Sequence, residues 1–582
     1  MAEVEADKYE RLMDLAKRRG YLWPSYEIYG GVAGFYDLGP YGVMLKRNII
    51  DKWREMFVRR HQHVVVEVET PIIGPSKIYE ASGHVGNFTD PIVECLKCGR
   101  KFRADHLVED KLGVNVEGLT PSDLTKLIRE HDIRCPVCGG ELGEVKTFNL
   151  LFETKIGPYE ASKGFVRPEL AQGVFIAFKR VYEAMRNRLP IGIAQVGRVG
   201  RNEISPRQGV IRLREFTIME MEFFIDPREE DCPWFPAVSN EKLLILTQDA
   251  RLNKRGPQQY KVGEAVDEGV IYHKCLAYWM VIGKKFIEEL GVSSQDIMFE
   301  DKLPEERAHY SSQTFDEKVK VSRWGWIEVA GHSYRGDYDL SRHIKYSGKD
   351  LRVYKRLDKP LIRETVRYFI NKALIGQEYK NKASLVIKAI EEAGVERLYK
   401  ELMEKGSIEI AGYRVTMGMI LKKTMEEKIT GEKFIPHVIE PSFGTDRIVF
   451  VTLEHAYREK EGRRILSLPR NIAPIQVSVF PLIERDEELK KVSWNIYTLL
   501  THGGFTVIYD DSGNIGKRYA RSDEIGVPFA VTVDYTTLND NTVTVRDRDT
   551  WQQVRVNINR LPSLIRIALG SRLPLEELVN QV

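Results

Sequence analysis

The stretch from Gln195 to Ile225 constrains the fold of this chain more than any other. Two runs typical of β-strands flank a segment in which Pro206 and Gly209 indicate a turn, so an antiparallel hairpin is predicted. Because side chains on a strand alternate between its faces, residue parity separates the hairpin into two surfaces. One surface holds Gln195, Arg201 and Glu203 on the first strand and Arg212, Arg214, Phe216, Glu220 and Glu222 on the second. The other, with Ile211, Leu213, Met219, Met221, Phe223 and Ile225, is predicted to be core.

The polar surface of this hairpin has a distinctive chemistry. Arginines, one aromatic ring and two acids on one face suit a ligand that is anionic, aromatic and partly cationic. A solvated face of surface ion pairs has the same composition. The residues alone leave both interpretations open.

Two CxxC pairs, Cys95–Cys98 and Cys135–Cys138, predict a metal site. Each pair is followed by a glycine, and four thiolates suit tetrahedral zinc in a closed, structural site. A redox dithiol or free thiols are the alternatives. We expect a structural zinc ion that folds residues 95–145, and we expect Cys232 and Cys275 to be buried or incidental.

Length and composition place the chain among multidomain globular proteins. It has 582 residues, of which 43% are hydrophobic, and its net charge of +3 is too small to indicate a nucleic-acid partner. No window holds the roughly 18 uncharged apolar residues of a membrane helix. The N-terminal segment has no apolar signal-peptide core, so a cytoplasmic protein with no membrane partner is expected.

The rest of the chain divides by its patterns. Pro40 to about His61 predicts an amphipathic helix, which a strand follows. Residues 349–433 are rich in Lys and Glu and are predicted to be a helical insertion. From residue 468 onward, strands alternate with helices, which indicates an α/β domain. That domain has no basic excess, and its local cluster of Lys517, Arg518, Tyr519 and Arg521 is as typical of a solvated face as of an RNA contact.

Several blocks resemble the class II aminoacyl-tRNA synthetases in their glycyl form, of the archaeal and eukaryotic type. Arg201-Asn202-Glu203 with Arg214-Glu215-Phe216 resembles motif 2, Gly34 to Ile49 resembles motif 1, and His437 to Ile448 resembles motif 3. Residues 167–173 resemble the family's RPETAQG with Leu170 in place of Thr, and residues 324–340 resemble its WIE…R..YDL block. The blocks follow the family's order along almost the whole chain.

The resemblance implies two sets of site residues. In the family, the first arginine of motif 2 grips the α-phosphate of ATP, and the motif 2 Phe and motif 3 Arg sandwich the adenine, so Arg201 and Arg447 are implied to be catalytic. The implied ATP-binding residues are Arg201, Asn202, Glu203, Ile211, Arg212, Leu213, Arg214, Glu215, Phe216, Glu328, Val329, Gly444, Thr445, Asp446 and Arg447. The implied glycine-binding residues are Arg103, Glu169, Phe216, Thr217, Ile218, Met219, Glu220, Arg335, Glu440, Pro441, Ser442, Phe443 and Gly444.

The resemblance also implies the architecture and the partners. The fold class is α+β: a catalytic domain with an antiparallel sheet over residues 1–348 and 434–467, interrupted by the zinc-binding segment and the helical insertion, then an anticodon-binding domain at 468–582. The implied substrates are ATP with Mg²⁺, glycine and tRNA(Gly), and the implied assembly is a homodimer. Another class II synthetase and a non-catalytic relative are the rivals. His84, in a further family-like block, is expected to be structural.

Overall fold

The computed structural model describes residues 2–114, 116, 118–158, 162–206 and 209–581. Residues 1–351 and 436–582 form one compact unit, and residues 352–435 form a second. The second unit begins and ends within a few residues of the insertion predicted at 349–433. None of the described helices is both long and apolar enough to span a membrane.

The strands before residue 352 are β1 (Leu22–Pro24), β2 (Tyr36–Leu38), β3 (Val65–Glu67), β4 (Ile73–Pro75), β5 (Thr89–Glu94), β6 (Lys101–Arg103), β7 (Lys146–Asn149), β8 (Glu153–Lys155), β9 (Lys163–Val166), β10 (Ile191–Gly200), β11 (Glu215–Ile225), β12 (Lys242–Leu246), β13 (Gln258–Lys261), β14 (Ile297–Asp301), β15 (Gln313–Val321) and β16 (Gly325–Gly336). The helices there are α1 (Ala2–Arg18), α2 (Pro40–Trp53), α3 (Ser76–Ala81), α4 (His84–Asn87), α5 (Ala104–Leu112), α6 (Pro121–Glu130), α7 (Ala171–Ala184), α8 (Gln248–Leu252), α9 (Val262–Asp267), α10 (Lys274–Glu289) and α11 (Tyr338–Ser347).

The second unit holds β17 (Val353–Ile370), α12 (Lys372–Tyr379), α13 (Ala383–Ala393), α14 (Val395–Lys405), β18 (Ser407–Ile410), β19 (Tyr413–Thr416) and β20 (Ile420–Phe434). The strands after it are β21 (His437–Gly444), β22 (Tyr457–Lys460), β23 (Arg463–Leu466), β24 (Val477–Pro481), β25 (Val507–Tyr509), β26 (Phe529–Val533), β27 (Thr542–Asp547) and β28 (Gln553–Asn557). The helices after it are α15 (Thr445–Ala456), α16 (Glu487–His502), α17 (Ile515–Ile525), α18 (Tyr535–Asp540), α19 (Leu561–Gly570) and α20 (Leu575–Val579).

A nine-stranded sheet organises the first unit, in the order β13-β12-β14-β15-β16-β21-β11-β10-β3. Its pairs are antiparallel except β12–β14 and β10–β3. Strand β11 lies between β10 and β21, so Glu220 faces Gln195 on one side and Ser442 on the other. This sheet and its helices confirm the α+β prediction.

The apolar surface of the hairpin packs against α2 and α10. Met219, Met221 and Phe223 belong to the main core, as predicted. The ring of Phe57 stacks on Trp53 and on Trp279, with centroids 5.3 and 5.6 Å apart. Because one face of the sheet is closed by helices in this way, only the other face is left for a binding site.

The hairpin strands are shorter than the parity argument assumed. Strand β10 ends at Gly200 and β11 begins at Glu215, so Arg201, Glu203, Arg212 and Arg214 lie in the connecting loop and not on the ladder. The Arg214 guanidinium holds this loop, since its Nε donates to the Glu203 carbonyl at 3.0 Å and its Nη1 to the Ala33 carbonyl at 2.8 Å. Arg207 and Gln208, within the predicted turn, lie outside the described residues.

The prediction of a helical insertion was wrong for its two ends. Strands β17 and β20 pair antiparallel from Val353 with Phe434 to Ile370 with Ile420, and the helices lie between them along the chain. The helices were predictable because α13 and α14 bury one apolar stripe each. Most of β20 is exposed to solvent. A ribbon with little buried surface has no alternating apolar pattern from which to predict a strand.

The C-terminal part is the predicted α/β domain. Its five-stranded sheet has the order β25-β24-β26-β27-β28, with β25, β24 and β26 parallel and the remaining pairs antiparallel. It has its own core. The domain joins the N-terminal segment through the Tyr21 hydroxyl, which donates to the Ile525 carbonyl at 2.5 Å, and through an ion pair between Arg19 and Glu524.

Candidate active site

A cavity of about 510 Å³ lies over the open face of the nine-stranded sheet. Phe216, Ile218 and Glu220 of β11 and Glu440, Ser442 and Gly444 of β21 line it, because alternate side chains share a face. The predicted residues among its lining are Arg103, Glu169, Arg201, Glu203, Ile211, Arg212, Leu213, Phe216, Ile218, Glu220, Glu328, Val329, Glu440, Ser442, Gly444, Asp446 and Arg447.

One end of the cavity is cationic and aromatic. The guanidinium of Arg201 lies 5.3 Å from the centre of the Phe216 ring, and its Nε donates to the Pro168 carbonyl at 3.1 Å. The Arg447 guanidinium donates from Nη2 to the Ile211 carbonyl at 3.0 Å and is 3.3 Å from a Glu328 carboxylate oxygen. Arg201 is held by a backbone carbonyl, which leaves its charge for a ligand. Arg447 is also held by a backbone carbonyl, but its charge is paired with Glu328.

Arg103 lies at the wall with its charge already paired. Its guanidinium contacts the Asp90 carboxylate at 2.9 Å and also binds Asp105. It lines the cavity as predicted, but two acids compete with any ligand for its hydrogen bonds.

The other end of the cavity is acidic. Glu169, Glu220, Glu222, Glu440 and Asp339, here called the acid cluster, are all buried. The Arg335 guanidinium lies among them and contacts Asp339 at 2.9 Å, Glu440 at 3.0 Å and Glu169 at 3.5 Å. The Glu220 carboxylate accepts from the Leu170 amide at 2.9 Å. Arg335 thus neutralises part of the cluster.

Within the acid cluster, the pKa values of the carboxyl groups are shifted in opposite directions. Burial opposes ionisation of Glu169, but the charge of Arg335 and contact with His84 lower its pKa well below the ordinary value. Burial, reinforced by the neighbouring Glu440, raises the pKa of Glu220 and of Glu222 well above that value. Glu169 thus favours its ionised form, whereas Glu220 and Glu222 favour the protonated form more than an exposed carboxyl group does.

Several predicted residues do not line the cavity. Met219 and Phe443 are in the core on the opposite face of the sheet, and Thr217, Pro441 and Thr445 are also buried away from it. The physical reason is strand parity, which turns every second residue of a motif from the ligand. Arg335 is buried and is not among the residues that line the cavity.

Three motif 2 residues also lie outside the cavity lining. The Asn202 amide donates to the Leu150 carbonyl, Arg214 holds the loop, and Glu215 forms an ion pair with Arg198 at 2.6 Å. These residues shape and support the loop that carries Arg201. Their position in motif 2 did not indicate whether their side chains would face the cavity.

Sequence reasoning missed other residues of the site. Lys302, Tyr310, Asp316 and Ser333 line the cavity from β15, β16 and the loop before β15. His84, which was expected to be structural, has its Nδ1 2.7 Å from the Ser82 hydroxyl and its Nε2 3.6 Å from Glu169. The block around Glu80 to Val85 was the available signal for His84, and the block at residues 324–340 was the signal for Ser333. No pattern marked Lys302, Tyr310 and Asp316.

The four predicted cysteines converge. The Sγ atoms of Cys95 and Cys138 are 3.6 Å apart, those of Cys98 and Cys135 are 3.8 Å apart, and all four lie within 4.8 Å of one another. Tetrahedral zinc with Zn–S bonds of about 2.3 Å places its sulfurs about 3.8 Å apart, so the donor set fits. Gly99 and Gly139 turn the chain after each pair with φ of 67° and 65°, a conformation that favours glycine.

Comparison with known families and proteins gives consistent matches. Residues 476–567 match the family described as "Anticodon binding domain". The chain is 60% identical to the glycine–tRNA ligase of Aeropyrum pernix over 99% of each chain. It is 48% identical to that of Pyrococcus horikoshii, covering 96% of this chain and 98% of the relative, and 46% identical to that of Methanocaldococcus jannaschii, covering 97% and 99%.

A solved structure shares the fold. The prolyl-tRNA synthetase of Cryptosporidium parvum, determined with L-proline and AMP, aligns with a TM-score of 0.51 over 98% of this chain and 76% of its own. Its sequence identity of 14% supports likeness of fold alone.

Proposed function

Because the chain belongs to the glycine–tRNA ligase family, and is therefore an aminoacyl-tRNA ligase, we propose that its large cavity joins ATP and glycine as glycyl-adenylate. The glycine is then transferred to the 3′ end of tRNA(Gly). The observation that carries this assignment is the division of the cavity into a cationic, aromatic end around Arg201 and Phe216 and an acidic end around Glu220 and Glu440.

Each end matches one substrate. Arginine offers a planar fork of donors to phosphate, and the Phe216 ring and Arg447 guanidinium offer flat surfaces to a purine. The carboxylates at the acidic end match the ammonium group of glycine. Between the two ends, the glycine carboxylate would face the α-phosphate of ATP.

The chemistry needs no covalent nucleophile from the protein. The glycine carboxylate attacks the α-phosphate, pyrophosphate leaves, and the enzyme contributes orientation and charge stabilisation. Arg201 would stabilise the charge that develops on the phosphate. Glu328 would help to hold Mg²⁺, which neutralises phosphate charge when bound.

Glycine-dependent pyrophosphate exchange tests the site. Arg201→Ala should lower the exchange rate by at least about tenfold, since a hydrogen bond to a charged group contributes roughly 1.5–3 kcal/mol. Arg201→Lys should rescue it only in part because lysine lacks the fork. Arg198→Ala is the matched control, since Arg198 is on the same hairpin but outside the cavity lining and pairs with Glu215. Exchange by Arg201→Ala at the control's rate would contradict the assignment.

We propose that Cys95, Cys98, Cys135 and Cys138 hold one structural zinc ion. The sulfur separations and the small core of the segment support this. A four-thiolate site leaves no open position for a substrate, so the zinc has no part in adenylation. Elemental analysis of the purified protein should find about one zinc per chain; its absence from folded protein would contradict the proposal.

The C-terminal domain is proposed to bind the tRNA, as the match to the anticodon-binding family supports. Two arginines of the basic cluster seen in the sequence are engaged within the domain itself. Arg518 is buried and donates to the Asp511 and Gly513 carbonyls, and Arg521 pairs with Asp510. These arginines stabilise the domain.

An aromatic surface on α16 is the better candidate for an RNA contact. Trp494 is 54% exposed and stacks on Tyr497, with centroids 4.9 Å apart. Aromatic rings bind unstacked bases with about 1–3 kcal/mol each. Trp494→Ala should lower the rate of tRNA charging about tenfold, because it removes one such stacking contact. The rate of pyrophosphate exchange should not change. Tyr535→Ala, at another exposed ring of this domain, is the control; equal losses in both variants would contradict the assignment.

We further propose a cytoplasmic homodimer, as the family resemblance implies. Exposed apolar side chains support an assembly interface near the motif 1 segment, where Ile28 is 89% and Tyr29 85% exposed. Sedimentation equilibrium should find two chains per particle. A monomer at micromolar concentration would contradict this proposal.

A further inference from the structure

Glu222 is a buried carboxyl group that the proposed chemistry does not use. It has no exposed surface, and neither of its carboxyl oxygens has a hydrogen-bond partner among the residues that the structure describes. It points into the acid cluster, since one of its oxygens lies within 4.8 Å of a carboxyl oxygen of Glu220 and of Glu440. Leaving a buried carboxylate without a partner is strongly unfavourable. The carboxyl group of Glu222 must therefore be either protonated or, when a cation binds beside it, ionised.

The pairing of the strands brings like charges together at this point. Strands β11 and β21 pair with Glu220 opposite Ser442 and Phe223 opposite Ile439, which places Glu222 opposite Glu440 on the cavity face. Like charges directly opposite each other on antiparallel strands are destabilising. Glu440 has a cationic partner, Arg335 at 3.0 Å, and Glu222 has no contact of this kind. The proton of this pair thus belongs on Glu222.

The other ionisable groups of the acid cluster leave Glu222 without a cationic contact. The ionisable side chains that face the acid cluster are Glu169 before α7, Glu220 on β11, Glu440 on β21, Arg335 on β16, Asp339 and His343 on α11, His84 on α4, Arg167 before α7 and Tyr310 in the loop before β15. Five carboxyl groups share the one guanidinium of Arg335, which contacts three of them. His84 contacts Glu169 and not Glu222.

We propose that Glu222 is a positioning residue that keeps a proton while the site is empty and releases it to solvent when the ammonium group of glycine binds beside Glu220 and Glu440. The inference rests on the proposed function. The charge balances, because the ammonium group adds one positive charge and the departing proton removes one. The carboxylate left behind stabilises the ammonium group, so a ligand without an amino group gains nothing from the exchange.

Calorimetry on the wild-type protein tests the proton directly. Glycine is titrated at one pH in two buffers, phosphate and Tris, whose ionisation enthalpies differ. The difference in binding heat gives the number of protons released, which we expect to approach one. Glycolate, in which a hydroxyl replaces the ammonium group, should release none. Glycine binding without proton release would overturn the inference and leave the proposed function intact, whereas absence of any glycine binding would count against the proposed function.

The pH dependence of the glycine KM provides a second measurement without a variant. If binding expels a proton, the KM should fall as the pH rises, by up to about tenfold per pH unit at pH values below the raised pKa of Glu222, as linkage requires. The KM for ATP should not follow this slope. A glycine KM that is flat over this range would contradict the inference.

The variant Glu222→Gln tests whether the proton released on glycine binding comes from Glu222. The amide resembles the neutral carboxyl in size but has no such proton to release, so proton release should vanish. The glycine KM at pH 8 should rise by about tenfold, one pH unit's worth of linkage, with kcat changed less. Glu317→Gln is the matched control: Glu317 is a fully buried carboxyl of the same sheet, bound to His332 at 2.8 Å. Release that persists in Glu222→Gln, or that also vanishes in Glu317→Gln, would overturn the assignment.

Discussion

The cysteine cluster and the acid cluster each gather several ligand-type side chains, but the chain assembles them in different ways. The four cysteines come from one segment, Cys95 to Cys138, whose own small core supports them. The acids come from positions between Glu169 and Glu440. Three lie on the neighbouring strands β11 and β21, and Glu169 before α7 and Asp339 on α11 join them from outside the sheet. A local cluster is readable from spacing, whereas a cluster made by strand order is not.

The two clusters also differ in what balances their charge. Four thiolates carry no internal cation and need an ion to hold them together. The acid cluster contains Arg335, which is fully buried and pairs with three of its members. We therefore expect the first cluster to depend on a bound ion for its stability and the second to depend on one side chain.

The largest expected effect comes from removing the thiolates. The double variant Cys95→Ser/Cys135→Ser should lose zinc and destabilise residues 89–149 by on the order of 5 kcal/mol or more, since structural zinc supplies much of the folding free energy of such segments. Hydrogen exchange should show lost protection there and unchanged protection in β10 and β11. Cys232→Ala, at a buried cysteine outside the cluster, is the control. Equal protection in wild type and double variant would remove the distinction between the clusters.

The second effect comes from removing the internal cation. Arg335→Met should destabilise the region around β16 and α11 by about 3–5 kcal/mol, because it leaves buried carboxylates unpaired. Hydrogen exchange in β16 and α11 measures this loss. Arg342→Met is the control in the adjoining helix α11, since Arg342 binds the Ala81 carbonyl and is not part of the cluster. If both variants lose the same protection, the acid cluster does not depend on Arg335.

The third effect is a pH dependence of stability. The folded pKa of Glu222 is raised by burial and by Glu440, so its contribution to stability is full below the ordinary value and is lost as the pH rises through the folded value. Stability should thus fall toward alkaline pH by up to about 1.4 kcal/mol per unit per proton. Glu222→Gln should lack this fall. Glu169 has the opposite sign, because its lowered pKa gives stability that is lost in acid.

Thermal melting without glycine measures this dependence. The difference in melting temperature between Glu222→Gln and wild type should grow from pH 6 to pH 9, in favour of the variant. A difference that is constant over this range would show that Glu222 has the same protonation state folded and unfolded.

The smallest effect is expected at an exposed ion pair, which provides a reference for the stability changes expected at both clusters. Lys163 and Glu153 form an ion pair at 2.8 Å on the paired strands β8 and β9, and both side chains are about half exposed. Glu153→Gln should change stability by less than about 1 kcal/mol, since exposed ion pairs are screened by water. Denaturant titration measures it. A larger loss of stability would mean that exposed ion pairs in this protein are stronger than assumed. The loss expected for Arg335→Met could then no longer be ascribed to burial of the acid cluster.

The sequence by itself determined the features that depend on local spacing. The CxxC pairs with their glycines, the parity of Met219, Met221 and Phe223, and the alternating strands and helices after residue 468 were all predicted and are found in the structure. The identity of the catalytic blocks was also visible, because motifs are short and continuous. These features follow from backbone geometry over a few residues.

Only the tertiary structure decided which motif residues face the cavity and which carboxyl groups lie close together. Thr217, Met219 and Phe443 belong to the right motifs but turn to the opposite side of the sheet, because alternate strand residues point away from each other. Arg335 became an internal counter-ion, and Glu222 met Glu440, through the order β16-β21-β11. Strand order brings together residues more than two hundred positions apart in the sequence. Electrostatic interactions depend on the distance between two charges in space and not on their separation along the chain.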